Sequence, residues 1–315
     1  MLQQGPWERQ TGMNSKQSEP DAQPFAAWNA LLPGIFVIFW ATGFIAAKLG
    51  IPYAGPMTFL ALRFILVLAI LLVLALAMRA PWPPREDWFN IAVAGVFVHA
   101  GYLGFVFASV YNGVEAGVSA MMAGLQPVLT AALAGPLLGE MITRRQWSGF
   151  ALGFIGVGMV VQAKLAQGLG TPLGMVFAFL ACVSMTAGTL WQKRHGSRMD
   201  IRTGSIIQFT ASLILVLPLA IWLEDFRHEW SRDFIIAMAW LVIVLSIGTI
   251  FILLVVIRRG AISKISTLFF LVPPTTALMA WALFNETLGP LSFAGMMLIA
   301  VAVLMVTWNT SPAAK

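Results

Sequence analysis

An internal repeat constrains this chain more than any other feature of its sequence. When residues 125–149 are shifted by 146 positions onto residues 271–295, eight of the 25 aligned residues are identical without a gap. The identities include Pro127, matched by Pro273, and a Glu that follows thirteen residues later in both copies. Apolar segments share Leu and Ala by chance, but they do not readily share a Pro and a Glu at a fixed spacing. A repeat of about half the chain therefore sets the architecture.

The composition places this chain in a lipid bilayer. Hydrophobic residues make up 59% of the sequence and charged residues only 10%, whereas soluble domains usually carry about 25% charged residues. A helix needs about 20 apolar residues to cross a membrane. Ten segments approach that length, at residues 30–47, 57–78, 88–110, 117–138, 147–163, 172–192, 203–223, 234–257, 265–285 and 291–308. The sequence thus predicts an all-α integral membrane protein with ten transmembrane helices.

The two copies of the repeat are predicted to enter the membrane with opposite orientations. Each copy holds five segments, and at a shift of 145 residues PMTFLALRF in segment two aligns with IRTGSIIQF in segment seven. Because five is odd, the second copy is inverted, which is typical of secondary transporters with a binding site between the halves. We predict a first repeat at 30–163 and a second at 164–310. A disordered cytoplasmic tail at 1–29 precedes them, and a cytoplasmic tail at 311–315 follows.

The distribution of Lys and Arg predicts the orientation of the spans. With a cytoplasmic N-terminus, 14 of the 19 basic residues lie on the cytoplasmic side, four lie outside, and Arg63 lies within segment two. Cytoplasmic loops are rich in Lys and Arg, so both termini are predicted to be cytoplasmic. Arg63 is interpreted as a side chain that snorkels to the outer surface. Met13 is an alternative start, which would make residues 1–12 an extension.

The repeated motif resembles that of a known transporter family. Both copies carry the same three residues, namely Pro127, Glu140 and Gly149 and then Pro273, Glu286 and Gly295. This pattern and the five-plus-five layout resemble the EamA family of the drug/metabolite transporter superfamily over about residues 30–308, and most of all its YddG-type amino-acid exporters. The resemblance implies alternating access, no ATP hydrolysis, and export of neutral, including aromatic, amino acids across the bacterial inner membrane. Export of another small metabolite or drug stays open.

The sequence argues against several other classes of protein. It has one cysteine and no HExxH, CxxC, Walker or dinucleotide-binding motif, so no metal, cofactor or catalytic residue is predicted and an intramembrane enzyme ranks last. The net charge of +6 is spread over short loops, which does not indicate a nucleic-acid partner. All 13 acidic residues lie in tails, loops or segment ends, which disfavours a cationic drug. The predicted partners are an amino-acid substrate and the lipid bilayer; the oligomeric state is open, and a monomer is plausible.

The most informative polar residues lie in segment three. His99 lies about halfway along it, and Tyr102 follows three residues later on the same helical face. In the second repeat these two align at, or one residue from, Ser246 and Thr249. Polar pairs at the same place in both halves predict that all four residues line a substrate cavity. The alternative is that they form interhelical hydrogen bonds without contacting a substrate.

Five further residues complete the predicted substrate-binding set. Pro127 and Pro273 interrupt segments four and nine and free a backbone carbonyl in each, or they only kink the helices. Gln126 is an uncharged polar residue at membrane depth that can bond a substrate carboxylate or a neighbouring helix. Trp40 and Phe44 share one face of segment one. Their rings can stack on an aromatic substrate or cover an ammonium, or they serve lipid contact and core packing.

Overall fold

Helices account for nearly all of the described chain. The computed structural model describes residues 23–139, 143–195, 199–252, 271–286 and 289–307, and within these ranges it contains no β-strand. Eight helical stretches there are long and apolar enough to cross a membrane, namely Gly34–Tyr53, Pro56–Ala77, Arg85–Tyr111, Ala116–Ala134, Arg144–Ala166, Pro172–His195, Ile201–Glu224 and Arg232–Ile252. Two shorter apolar helices, Val272–Phe284 and Pro290–Val306, follow at the places predicted for spans nine and ten.

The helices divide into two series that follow the two repeats. The first series is α1 (Gln23–Gly50), α2 (Pro56–Ala77), α3 (Trp88–Gly95), α4 (Tyr102–Tyr111), α5 (Ala116–Ala123), α6 (Gln126–Leu138) and α7 (Arg144–Ala166). The second is α8 (Pro172–His195), α9 (Ile201–Glu224), α10 (Arg232–Ala239), α11 (Val272–Phe284) and α12 (Pro290–Thr307). A π-helical turn, Val96–Gly101, joins α3 to α4, and a second one, Trp240–Gly248, continues α10. Both turns lie in the third span of their repeat.

Several helices begin at polar capping residues in the connecting loops. Thr143 and Gln146 form a reciprocal capping box at the start of α7. Asp200 and Ser231 each accept a backbone N–H from the first turn of α9 and α10, respectively. Such caps satisfy donors that have no partner within the helix. Loop chemistry therefore fixes where these apolar segments begin.

Segment four forms one span that is interrupted between two helices. α5 ends at Ala123 and α6 begins at Gln126, so the break falls at residues 124–125. Pro127 is the second residue of α6, and because it lacks an N–H the carbonyl of Ala123 loses its usual helical donor. Pro273 likewise is the second residue of α11. The first part of predicted segment nine lies outside the described residues.

Several contacts between a helix of the first half and a helix of the second have an equivalent contact in which the two halves exchange roles. α8 of the second half packs against α3 and α4, and α1 of the first half packs against α10 and the π-helical turn that follows it. In the same way α6 packs against α8, and α11 packs against α1. The pairs α2–α9 and α7–α12 each join a helix to its own repeat counterpart. Equivalent helices of the two halves therefore make equivalent contacts, as expected for two copies of one repeat.

Small residues allow α7 and α12 to approach closely. A Cβ on Gly156 would lie 2.6 Å from the carbonyl oxygen of Gly295, and a Cβ on Gly295 would lie 2.6 Å from the carbonyl oxygen of Gly156. Any side chain at either position would push the backbones apart. Glycine pairs of this kind set the distance between helices in membranes, where dispersion contacts replace the hydrophobic effect.

Candidate functional site

A cavity of about 300 Å³ lies between the two halves of the protein. Side chains from α1, α2, α4, α9 and both π-helical turns line it, and its size is that of a small-molecule site. The cavity extends to Gln192, Met199 and Ile201, where α8 ends and α9 begins. Among the described residues that line it, none is Asp or Glu. In the same described ranges, no group of three or more His, Cys, Asp or Glu residues could hold a metal ion.

The structure brings six of the nine predicted binding residues to this cavity. They are Trp40, Phe44, His99, Tyr102, Ser246 and Thr249. All six come from spans one, three and eight, so both repeats contribute to the lining. The sequence alignment of segments three and eight thus identified residues that lie close together in space.

The other three predicted residues lie beside the cavity rather than on it. Gln126 and Pro127 line a smaller pocket of about 40 Å³ that Phe44 and Tyr102 separate from the main cavity, because these two rings line both spaces. The Gln126 amide donates to Thr130 and to Thr189 of α8, so it forms the bond to a neighbouring helix that was the alternative prediction. Pro273 lines neither space. It packs beside Gly124, where an added Cβ would lie 2.6 Å from the Pro273 ring.

His99 both lines the cavity and ties two helices together. Its Nε2 lies 3.3 Å from Oε1 of Gln208 in α9. The imidazole stacks on Phe209 with 4.1 Å between ring centroids and meets Phe64 edge-on. The two predicted roles of His99, cavity lining and interhelical bonding, therefore coexist in this arrangement.

The π-helical turn that carries His99 is held by side chains from neighbouring helices. Ser184 of α8 donates to the carbonyl of Phe97 at 2.8 Å, and Ser212 of α9 donates to the carbonyl of Gly95 at 3.0 Å. These hydroxyls satisfy carbonyls where the regular helical ladder is interrupted. π-helical turns are rare in proteins, but many of those that occur lie at functional sites. Both π-helical turns in the described part of the chain contribute side chains to the cavity wall.

Arg63 does not reach the outer surface, so the prediction that it snorkels is wrong. Its residue is only 4% exposed, and it lines the cavity. Nη2 donates to Oγ of Ser246 at 3.1 Å, while Nε and Nη1 have no hydrogen-bond partner among the described residues. The physical reason is that α9 and the eighth span pack against α2. The guanidinium therefore points between the halves instead of along a lipid-facing surface.

Two hydrogen bonds across the cavity are related by the repeat. Arg63 and Gln208 occupy the same position at a shift of 145 residues. Arg63 bonds Ser246, and Gln208 bonds His99, so each bond joins the second span of one half to the third span of the other. Neither Arg63 nor Gln208 is among the predicted binding residues. The alignment of PMTFLALRF with IRTGSIIQF was the signal that pairs them.

Glu286 closes the opposite end of the helical bundle. It forms an ion pair with Lys48 at the end of α1. Its carboxylate also accepts the backbone N–H groups of Ala116 at 3.0 Å and Gly117 at 3.2 Å, at the start of α5. An anion at a helix N-terminus is stabilised by the helix dipole as well as by these donors. Its repeat counterpart, Glu140, lies outside the described residues.

Comparison with known proteins decides the family. The sequence model of the EamA-like transporter family matches residues 28–162 and, a second time, residues 172–308. The chain belongs to the EamA-like transporter family. This EamA-like transporter is therefore a multi-pass membrane protein with a small-molecule substrate, and the predicted EamA family, transport role and multi-pass membrane character are confirmed.

Individual relatives of this EamA-like transporter agree with the family match. An uncharacterized transporter of Bacillus subtilis, YvbV, is 26% identical over 288 residues, covering 91% of this chain and 93% of the relative. A probable amino-acid metabolite efflux pump of Salmonella typhimurium is 25% identical over 277 residues, or 84% of this chain and 90% of the relative. One solved crystal structure shares the fold with a TM-score of 0.59 at 19% identity, over 90% of this chain and 97% of that one.

Proposed function

We propose that this protein is a secondary transporter that exports neutral, including aromatic, amino acids across the bacterial inner membrane by alternating access. The observation that carries the proposal is the chemistry of the cavity between the halves. Its wall combines the rings of Trp40, Phe44 and Tyr102 with the polar side chains of His99 and Ser246. Aromatic faces suit an aromatic side chain, and fixed polar groups replace the water that a zwitterion loses on entry.

The charge of the cavity favours an amino acid over the drug alternative. Arg63 is the charged side chain among the described lining residues, with no acidic partner there. A cationic drug would meet a buried positive charge, and like charges in a low-dielectric site repel strongly. The name of the Salmonella typhimurium relative, a probable amino-acid metabolite efflux pump, also supports an amino-acid substrate.

The two ends of the protein support an alternating-access cycle. The cavity extends to the end where α8 meets α9, which the charge distribution predicts to be cytoplasmic. At the other end, Glu286 links α11 to Lys48 of α1 and to the start of α5. In this orientation the arrangement corresponds to a state that loads substrate from the cytoplasm. Export then requires the Glu286 contacts to break while the cytoplasmic end closes.

Counterflow in liposomes tests the proposal. Purified protein is reconstituted into liposomes that are loaded with unlabelled phenylalanine, and uptake of radiolabelled phenylalanine is followed. We expect a transient, saturable accumulation that protein-free liposomes lack. Absence of counterflow with every neutral amino acid would reject the proposal, and counterflow of an organic polycation instead would establish the drug alternative.

A further inference from the structure

Arg63 and Gln208 present to the cavity three side-chain nitrogens that have no hydrogen-bond partner in the part of the chain that the structure describes. From these we infer that Arg63, assisted by Gln208, binds the carboxylate of the substrate, and that the carboxylate rather than the amino group is what this protein recognises. The inference rests on the proposed function, because it concerns the same cavity. Its consequence is that monocarboxylates of the right shape compete for the site even when they lack an amino group.

The burial of Arg63 carries the first step. The residue is 4% exposed, and its Nη2 donates to the Ser246 hydroxyl. Nε and Nη1 have no hydrogen-bond partner among the described residues. A buried cation without a counter-ion is costly, so the site is built to be completed by an anion. A carboxylate is the anion whose two oxygens match the planar fork of a guanidinium.

Gln208 supplies an independent second observation. It is the repeat counterpart of Arg63, it is buried, and it lines the same cavity. Its Oε1 faces His99, while its Nε2 has no partner within the described ranges. The unpartnered side-chain nitrogens of Arg63 and Gln208 are therefore all donors. A ligand that satisfies both residues must be a hydrogen-bond acceptor.

The rest of the lining offers little that is specific to an ammonium group. No Asp or Glu lines the cavity within the described part of the chain. The wall around Trp40, Phe44 and Phe107 is aromatic, so it can hold the hydrocarbon part of a ligand. Near Arg63, a free amine would add a second positive charge, whereas a carboxylate neutralises the first.

Competition among three matched compounds tests the inference in the wild-type protein. Phenylalanine, 3-phenylpropionate and phenethylamine share a phenyl ring and a two-carbon chain, and they carry both charged groups, the carboxylate alone and the amine alone, respectively. Each is added to the phenylalanine counterflow assay and, separately, to purified protein in a thermal-shift assay. We expect phenylpropionate to compete within about tenfold of phenylalanine, because each tenfold change corresponds to only about 1.4 kcal/mol. We expect phenethylamine to have no effect.

Variants locate the effect at Arg63. Arg63→Gln installs the residue that the second repeat carries at this position, and we expect it to weaken phenylpropionate binding by about ten- to hundredfold. Arg63→Lys keeps the charge but loses the fork, so it should recover part of that loss. Arg85→Gln removes the same charge from an exposed position outside the cavity and should bind like the wild type. Size-exclusion chromatography identifies any variant that has lost its fold.

The outcomes separate this inference from the proposed function. If phenethylamine competes as well as phenylpropionate, or folded Arg63→Gln binds phenylpropionate as tightly as the wild type, the carboxylate assignment is overturned while amino-acid export stands. If phenylalanine is not transported but phenylpropionate still stabilises the wild type and not Arg63→Gln, the site is confirmed and the proposed amino-acid substrate is wrong. Should Arg63→Gln not fold, the three-compound comparison in the wild type still decides.

Discussion

Neutralising Glu286 should open the outer end of the transporter. The Glu286 carboxylate connects three helices. Glu286 itself follows α11, and its carboxylate pairs with Lys48 at the end of α1 and accepts the N–H groups of Ala116 and Gly117 at the start of α5. Glu286→Gln keeps the size of the side chain but removes its charge. We expect this variant to populate the outward-open state more than the wild type does.

The size of the shift follows from the contacts that opening breaks. Hydrogen bonds to charged groups contribute about 1.5–3 kcal/mol each, and only contacts that differ between two states move the equilibrium between them. Losing the equivalent of one such bond from the closed state therefore changes the ratio of open to closed molecules by about ten- to hundredfold. The Lys48 ammonium is then left without its carboxylate, which further disfavours closure.

Labelling of a buried cysteine measures this shift. Ser109 is fully buried in α4, between the cavity and the outer end, and the buried thiol of Cys182 is removed by Cys182→Ala. We expect maleimide to react with Ser109→Cys at least about tenfold faster when Glu286→Gln is present. Asp225→Asn is the control, because Asp225 pairs with Arg227 on the surface with side chains 69% and 84% exposed, and such pairs contribute little. Equal labelling rates with and without Glu286→Gln, in folded protein, would refute the reasoning.

Three further predictions follow from the site, the loops and the caps. His99→Ala and Tyr102→Phe should each raise the apparent KM for phenylalanine by about ten- to hundredfold and leave the protein monodisperse, because each removes a polar group of the cavity wall that can bond the substrate, and such a bond is worth about 1–3 kcal/mol; wild-type kinetics would remove these residues from the site. Ser231→Cys should react with an impermeant maleimide in intact cells, and protection until permeabilisation would reverse the predicted orientation. Asp200→Ala should lower stability by about 0.5–2 kcal/mol at neutral pH, measured by thermal denaturation. The side-chain hydrogen bond from Arg202 lowers the pKa of Asp200 below its ordinary 3.8. The loss of stability in Asp200→Ala should therefore have its full size above pH 3.8, and it should disappear as the pH falls below the lowered pKa and the carboxylate is protonated.

The sequence predicted the cavity best where two independent patterns agreed. His99 and Tyr102 combine membrane depth with a polar counterpart in the other repeat, Ser246 and Thr249, and all four line the cavity. Predicted depth alone was a weaker guide, because Gln126 was also predicted at membrane depth but bonds Thr189 of a neighbouring helix. The repeat relation constrains where a residue lies relative to both halves of the protein, whereas depth constrains only its position along the membrane normal.

The orientation of a long side chain could not be predicted from its place in a segment. Arg63 lies within reach of the outer surface by sequence distance, and an isolated helix would allow it to snorkel. Its direction is decided by α9 and the eighth span, which surround that face of α2. Its alignment with Gln208 shows only that the two residues occupy equivalent places in the repeats.

The π-helical turns were also beyond the reach of the sequence. Segment three has the same apolar pattern that a continuous α-helix would have. The altered ladder depends on hydroxyls from other helices, such as Ser184, which donates to Phe97. A local pattern does not contain those tertiary partners, so only the existence of the span, and not its internal geometry, was predictable.

Substrate protection of a cysteine in the cavity tests the central claim most directly. Thr249→Cys, on a Cys182→Ala background, places a thiol on the cavity wall, and a methanethiosulfonate reagent is applied to the protein in liposomes with and without phenylalanine. If the space between the halves is the transport site, modification should abolish phenylalanine counterflow, and phenylalanine should slow the modification in proportion to its occupancy. Full counterflow after complete modification, with a rate of modification that phenylalanine does not change, would show that the substrate passes elsewhere.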